Sequence, residues 1–599
     1  MIRDLADRAL QDGAKHPELL QIAACANWGA HQGNAHRDIM TSFCKQVDFA
    51  EATEVTVACI DPKTSKEVEE RSAIFLPHVC FSKLGQHYPQ HFQEAFCLGE
   101  DIQPAASLGK ETTLADNSLE KEALVKMTLE KFWAKVLATG DDKLVGHPMT
   151  LEKGWEAKTI QIFLHGDGVE FQTRDSLLVF SWGGLLNAKS SLETNMLLAA
   201  FPNSGTCAST WPPIWKWLRW SFEALGKGFH PTTDPDGKPL AKGSRWYEDM
   251  GKPLHPLGYK ACLWSITGDH EFFANVLHLG HWSSHYPCWE CDAQNFEGAA
   301  PGKGYKEICL EKQNFQLRTH AQQLAEPRSD HPIFQVPHVS CSHVRGDPLH
   351  ILFTKGLYGH LIGSILHYAC YYEGPGKSCK KPPGDRLGLI FSLLQAEYRD
   401  RSTANRLTNL KLSMLTDPRK PWAKSASLDC KAGEGKHLLP ALVPVLRKLF
   451  ASTQTSHEQH MLSAAHSLEK LVQLWDEADI VLTTEEHAKS LSLGTAFLSA
   501  YAWLQNWSSE QGRNSFAVAA KHHTFIHLLW NSKHLNPRMH WCFKSEDFVG
   551  QIAKLTHSIS MGVSSSRLSL KVAPKYRVLM HLLLSNSNFV NSCQSIFPE

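Results

Sequence analysis

Four metal-binding side chains fall in two short pairs separated by more than two hundred residues, and that separation constrains the fold more than any other feature. Cys288-Trp-Glu-Cys291 is the first pair and His523-Thr-Phe-Ile-His527 the second. Cys and His are the donors of structural zinc sites, which take four ligands in a tetrahedron. One ion held by both pairs would require a long stretch of chain to leave a point and return to it. Each pair also stands near an acid: Asp269 lies 19 positions before Cys288, and Glu546 lies 19 positions after His527. Asp167, in His-Gly-Asp-Gly-Val, is a third acid upstream.

Each of these residues has an ordinary reading when taken alone. Asp and Gly are favoured turn formers, so Asp167 reads first as a turn residue. Asp269 could cap the helix that follows it, and Glu546 could be a favourable charge in a first helical turn. A lone Cys-x-x-Cys is a redox pair or two free thiols as readily as half a metal site. His523 and His527 share one helix face by their spacing, but the chain holds 33 His, and His522 is a rival ligand five residues from His527. Glu434, in Lys-Ala-Gly-Glu-Gly-Lys, rivals Glu546 as third acid, and Asp347-Pro-Leu-His350 is a further candidate.

The periodicity places these residues on elements. Residues 159–164 (TIQIFL) form an apolar, β-branched run that predicts a buried strand, with Asp167 just beyond its end. Residues 175–182 predict a second strand in a hairpin with the first, and residues 261–266 a third, ending in Thr-Gly-Asp269 before a helix over 271–279. Residues 118–137 and 211–225 carry helical spacing, the latter opened by two prolines. Residues 294–345 are rich in loop formers. Beyond them, helical spacing recurs over 348–371, 386–399, 435–451, 457–477, 484–507 and 514–530, interrupted by a basic loop at 374–384. A long helical block therefore separates Asp269 from Glu546.

Composition narrows the setting. At 599 residues the chain predicts two to four structural units. Sixteen scattered Cys and a charged start predict free thiols in a reducing compartment, without a signal peptide. No window offers the ~20 apolar residues of a membrane span. Lys and Arg balance Asp and Glu at 61 each, which argues against an extensive nucleic-acid surface while leaving room for local basic patches.

The ordered set resembles the CACTA (En/Spm-like) DDE transposases, and more distantly the catalytic core of the V(D)J recombinase. Asp167-Gly-Val169, Gly268-Asp269, Cys288 with Cys291, His523 with His527, and Glu546 in Phe-Lys-Ser-Glu-Asp-Phe follow the family order across residues 158–560. Asp347-Pro-Leu-His350 and Lys431-Ala-Gly-Glu434 resemble two further family segments. The resemblance implies an α/β, ribonuclease-H-like core: a first part over 151–293, a mostly helical insertion over 294–515, and a last part over 516–599. Residues 1–150 form a mixed region without an identifiable DNA-binding module. It implies that Asp167, Asp269 and Glu546 hold Mg²⁺ or Mn²⁺ for phosphodiester cleavage and strand transfer. It also implies that Cys288, Cys291, His523 and His527 hold a structural Zn²⁺. DNA is the implied partner, with self-association open, and the nucleus the implied location (otherwise the cytoplasm). Two other readings stay open: a transposase-derived DNA- or protein-binding module without turnover, and a helical scaffold in which the Cys and His pairs never meet.

Overall fold

A computed structural model describes residues 49–61, 64–97, 118–173, 175–187, 189–372, 381–403, 405–451, 455–560 and 563–585. Residues 1–48, most of the basic loop at 374–384 and the final fourteen residues lie outside this description.

The chain is mixed α/β, with two sheets. Alternation in β1 (Thr53–Ile60) and β2 (Glu67–Ile74) gives an antiparallel hairpin in which β1 turns Val55, Val57 and Cys59 inward. The larger sheet has the order β5-β4-β3-β6. β3 (Thr159–Gln172), β4 (Asp175–Gly184) and β5 (Asn195–Pro202) run as an antiparallel meander, and β6 (Lys260–Gly268) joins β3 in parallel. β5 and β6 are buried along their whole length, as is β3 through Asp167. Such continuous burial explains why their sequences are mostly apolar and do not alternate regularly with polar residues.

Helices cover the sheet. α1 (Pro77–His87) and α2 (Pro89–Phe96) each start at a proline, whose fixed φ suits a first helical position. α3 (Ser118–Ala138) brings Trp133 against the start of β3, where its indole Nε1 donates to the Thr159 carbonyl at 2.8 Å. A single turn, α4 (Ser191–Thr194), leads into β5. α5 (Trp211–Lys227) packs on β6 and ends at Gly228, whose φ of +76° is the left-handed cap conformation. Short α6 (His270–Asn275) follows β6, and α7 (His320–Ala325) lies in the loop-rich stretch.

The helical block then builds its own core. α8 (Leu357–Tyr371), α9 (Pro383–Asp400), α10 (Ala432–Phe450), α11 (Ser456–Glu477), α12 (Thr484–Glu510) and α13 (Ala520–Asn531) enclose a cluster that runs from Ile308 to Leu529. α14 (Phe543–His557) returns to pack on β3, and α15 (Leu568–Ser585) covers β2 and β5. Two corrections to the sequence reading concern the site. β3 does not end before Asp167 but carries it, because antiparallel pairing with β4 continues through Asp167↔Val179. The helix expected at 514–530 begins only at Ala520.

Candidate metal centre and acidic cleft

The two glycine–aspartate steps meet side by side. In the parallel β3–β6 pair, Gly166 is in register with Gly268, so Asp167, still in β3, and Asp269, just past the end of β6, are the next residues on neighbouring segments. Phe272 explains the glycines. A Cβ on Gly166 would lie 2.3 Å from its ring, and one on Gly268 (φ +154°) would lie 2.5 Å from the Gly166 carbonyl and 2.6 Å from the same ring. Phe272 reaches this place because Asp269 caps α6, its Oδ1 accepting the Phe272 amide at 2.6 Å. The sequence reading of Asp269 as a cap is therefore correct, and the cap keeps one carboxylate oxygen occupied.

Glu546, on the first turn of α14, completes the group: its carboxyl and that of Asp167 share a hydrogen bond. Burial, then the charges of Glu546 and Asp269, push the Asp167 carboxyl well above its ordinary range. Burial, with the charges of Asp347 and Asp269, raises Glu546 to about 7. Like charges held this close cannot all ionise without a compensating cation. Glu546 Oε1 is buried and has no hydrogen-bond partner; His350 Nε2 stands 3.6 Å away. A buried, unsatisfied carboxylate oxygen among carboxyl groups fits the hard-oxygen chemistry of a divalent cation.

Asp347 and His350 belong to the same neighbourhood. Asp347 Oδ1 accepts the amides of Leu349 (2.9 Å) and Cys542 (3.1 Å), which ties the π-helical turn Leu349–Phe353 to the entry of α14. Its Oδ2 lies 2.6 Å from His350 Nδ1. Burial opposes protonation of His350, but the Asp347 hydrogen bond and charge prevail and raise its pKa. Lys521, at the start of α13, is lowered to about 8 by burial, against the pull of Asp269 and Asp347. Glu434 is elsewhere: its Oε2 accepts the Lys431 amide at 3.1 Å and caps its own helix, α10.

The Cys and His pairs also converge. Cys288 Sγ lies 3.3 Å from His527 Nε2, Cys291 Sγ lies 3.4 Å from His523 Nε2, and the two imidazole nitrogens are 3.0 Å apart. All four ligand atoms fall within 4.8 Å of one another, and all four residues are buried. Tetrahedral zinc with bonds of about 2.0–2.3 Å separates its ligand atoms by roughly 3.3–3.8 Å. The donor set fits, both Cys–His separations fall in this range while the imidazole nitrogens stand slightly closer, and the group could hold a metal such as zinc. Burial pushes the Cys288 thiol well above its usual range, so a thiolate here needs a cation beside it. His522, the rival, points away, its ring 4.6 Å from that of Tyr501 and its Nδ1 engaged with Ala519.

Sequence reasoning missed the surrounding support. Glu290, inside the Cys-x-x-Cys, stands 4.0 Å from His527 Nδ1, accepts from Asn531 at 2.6 Å and lies 4.0 Å from Arg345. Asn531 follows His527 by one helical turn, a signal visible in the sequence; Arg345 carried none. Beside Asp269 lies a cleft of about 570 Å³, which includes Asp269, Asp347, His350 and Lys521 in its wall. No helix among the described residues is long and apolar enough to cross a membrane. The chain matches no protein-family model, and no curated protein matches it.

Proposed function

We propose that the protein is a metal-dependent DNA-cleaving and strand-transferring enzyme of the DDE transposase kind, similar to the CACTA group. The observation that carries this reading is the meeting of Asp167, Asp269 and Glu546, from three distant stretches of chain, in one acidic group in which Asp167 is buried and the other two are half-buried. The mixed sheet, an antiparallel meander with a fourth strand parallel to the first, is read as the ribonuclease-H-like core. Asp167, Asp269 and Glu546 would hold Mg²⁺ or Mn²⁺, which when bound supplies activation of the attacking oxygen and stabilisation of the leaving one. Asp347 fixes His350 beside Glu546, and Lys521 offers a cation at the cleft wall for a phosphate. The Cys and His pairs would hold zinc as a brace. DNA is the proposed partner and the nucleus the proposed location.

The test is nicking of plasmid or oligonucleotide DNA in Mn²⁺ by wild type and by Asp269→Asn. The amide keeps an oxygen to cap α6, so the variant should melt like wild type and lose at least about a hundredfold in rate, as expected when a ligand to catalytic metal is neutralised. Cleavage surviving in the variant would remove Asp269 from the chemistry. A wild type that binds DNA but never cuts would favour the alternative, a transposase-derived binding module.

A further inference from the structure

The cleft beside the acids carries two kinds of side chain that the carboxylates do not explain. Trp282 is 39 % exposed at its wall. His281 lies against that indole at 3.7 Å between ring centres, and His270 meets it edge-on at 5.3 Å. The Trp282 carbonyl accepts from Asn295 Nδ2 at 2.9 Å, so the loop presenting the ring is anchored. Lys306, Lys355 and Lys521 line the same cleft. Lys306 and Lys355 are exposed, and Lys521 is held by the carbonyls of Thr354 and Lys355 at 2.7 and 3.3 Å. Lys306 and Lys355 have no carboxylate within 4 Å among the described residues, whereas Lys521 feels the charges of Asp269 and Asp347.

We propose that this cleft seats one unstacked nucleotide of a single DNA strand, its base on Trp282 and its flanking phosphates toward Lys306 and Lys355. An aromatic plane beside unpaired cations is the combination that single strands use: bases stack without regard to sequence, and lysines follow the backbone. About 570 Å³ lies within the range of small-ligand sites and admits a nucleotide, not a base-paired helix. Placement beside Asp269 and Asp347 would bring the phosphodiester of the seated nucleotide to the acids. The inference rests on the cleavage reading for its choice of DNA, but its test does not require cleavage.

Fluorescence anisotropy with a labelled twelve-nucleotide single strand, its duplex, and free deoxyadenosine monophosphate as competitor, without added Mn²⁺, tests it. Trp282→Ala should weaken single-strand binding roughly 5- to 150-fold, the range of one base–aromatic stack, and leave duplex binding within about twofold. Trp282→Phe should recover most of the loss, and zinc content and melting should not move, since the ring is exposed. Equal single-strand binding by wild type and Trp282→Ala would overturn the proposal. So would a free nucleotide that competes as strongly as the strand, which would indicate a small-molecule pocket. Trp282-dependent binding in a chain that never cuts would sink the cleavage reading and leave the nucleotide seat standing. Cutting by a chain indifferent to Trp282 would do the reverse.

Discussion

Gly166 shows how a residue without a side chain positions those that have one. Phe272 lies where a Cβ on Gly166 would be, and Phe272 is held there by the carboxylate of Asp269. Gly166→Ala should therefore destabilise the chain by about 1–3 kcal/mol, the usual cost of overpacking a core. A urea midpoint equal to that of wild type would show that the Phe272 ring yields freely. That Asp167, Asp269 and Glu546 could stand together was legible in their order along the sequence, but the conformation at Asp167 was not. Gly-Asp-Gly has turn propensity, and it lies in a strand because β4 pairs with all three residues and β6 with Gly166. Local preference lost to pairing with partners that a short window cannot see. The choice between His522 and His523 was equally closed to sequence. It depends on which face of α13 looks toward the Cys pair, and Tyr501 and the helical core decide that.

At the scale of elements, α13 serves two masters. Phe525, Ile526, Leu528 and Leu529 anchor it in the helical core, while His523 and His527 reach the knuckle formed by Cys288 and Cys291. The helix therefore belongs with the block by its packing, although it was grouped with residues 516–599 by its motif. Cys291→Ser should abolish stoichiometric zinc and lower Tm by on the order of 5 °C or more, because a structural metal contributes folding free energy directly. Hydrogen exchange should quicken first in Ala520–Asn531. Unchanged melting and exchange would show that apolar packing alone holds the helix. The helices themselves were the most legible part of the fold, since long amphipathic stretches declare their period; α9 to α12 lie within a few residues of expectation.

For the molecule as a whole, buried histidines set the acid limit of stability. Burial depresses His78, His147 and His331 to about 3, and His255 to about 4. Their folded pKa values lie below the ordinary 6.5, so the folded state keeps them neutral. Their contribution is complete above pH 6.5 and is lost as pH falls below it. At pH 5 each such group costs about 2 kcal/mol, and several together rival the ~5–15 kcal/mol of a typical domain. Asp167 and Glu546 pull the other way, since their raised values relieve repulsion as protons arrive. The histidines outnumber them, so Tm should decline steadily from pH 6.5 to 5. A flat profile over that interval would show these rings to be hydrated rather than enclosed.

The return of α14 to β3 has a consequence for synthesis. Asp167 and Asp269 leave the ribosome long before Glu546, which follows the entire helical block. A nascent or prematurely terminated chain thus owns two thirds of an acidic triad and half of a metal clasp. Whatever these groups do together can begin only after Glu546 has been made and α14 has docked on β3, so the order of the chain itself acts as a safety catch.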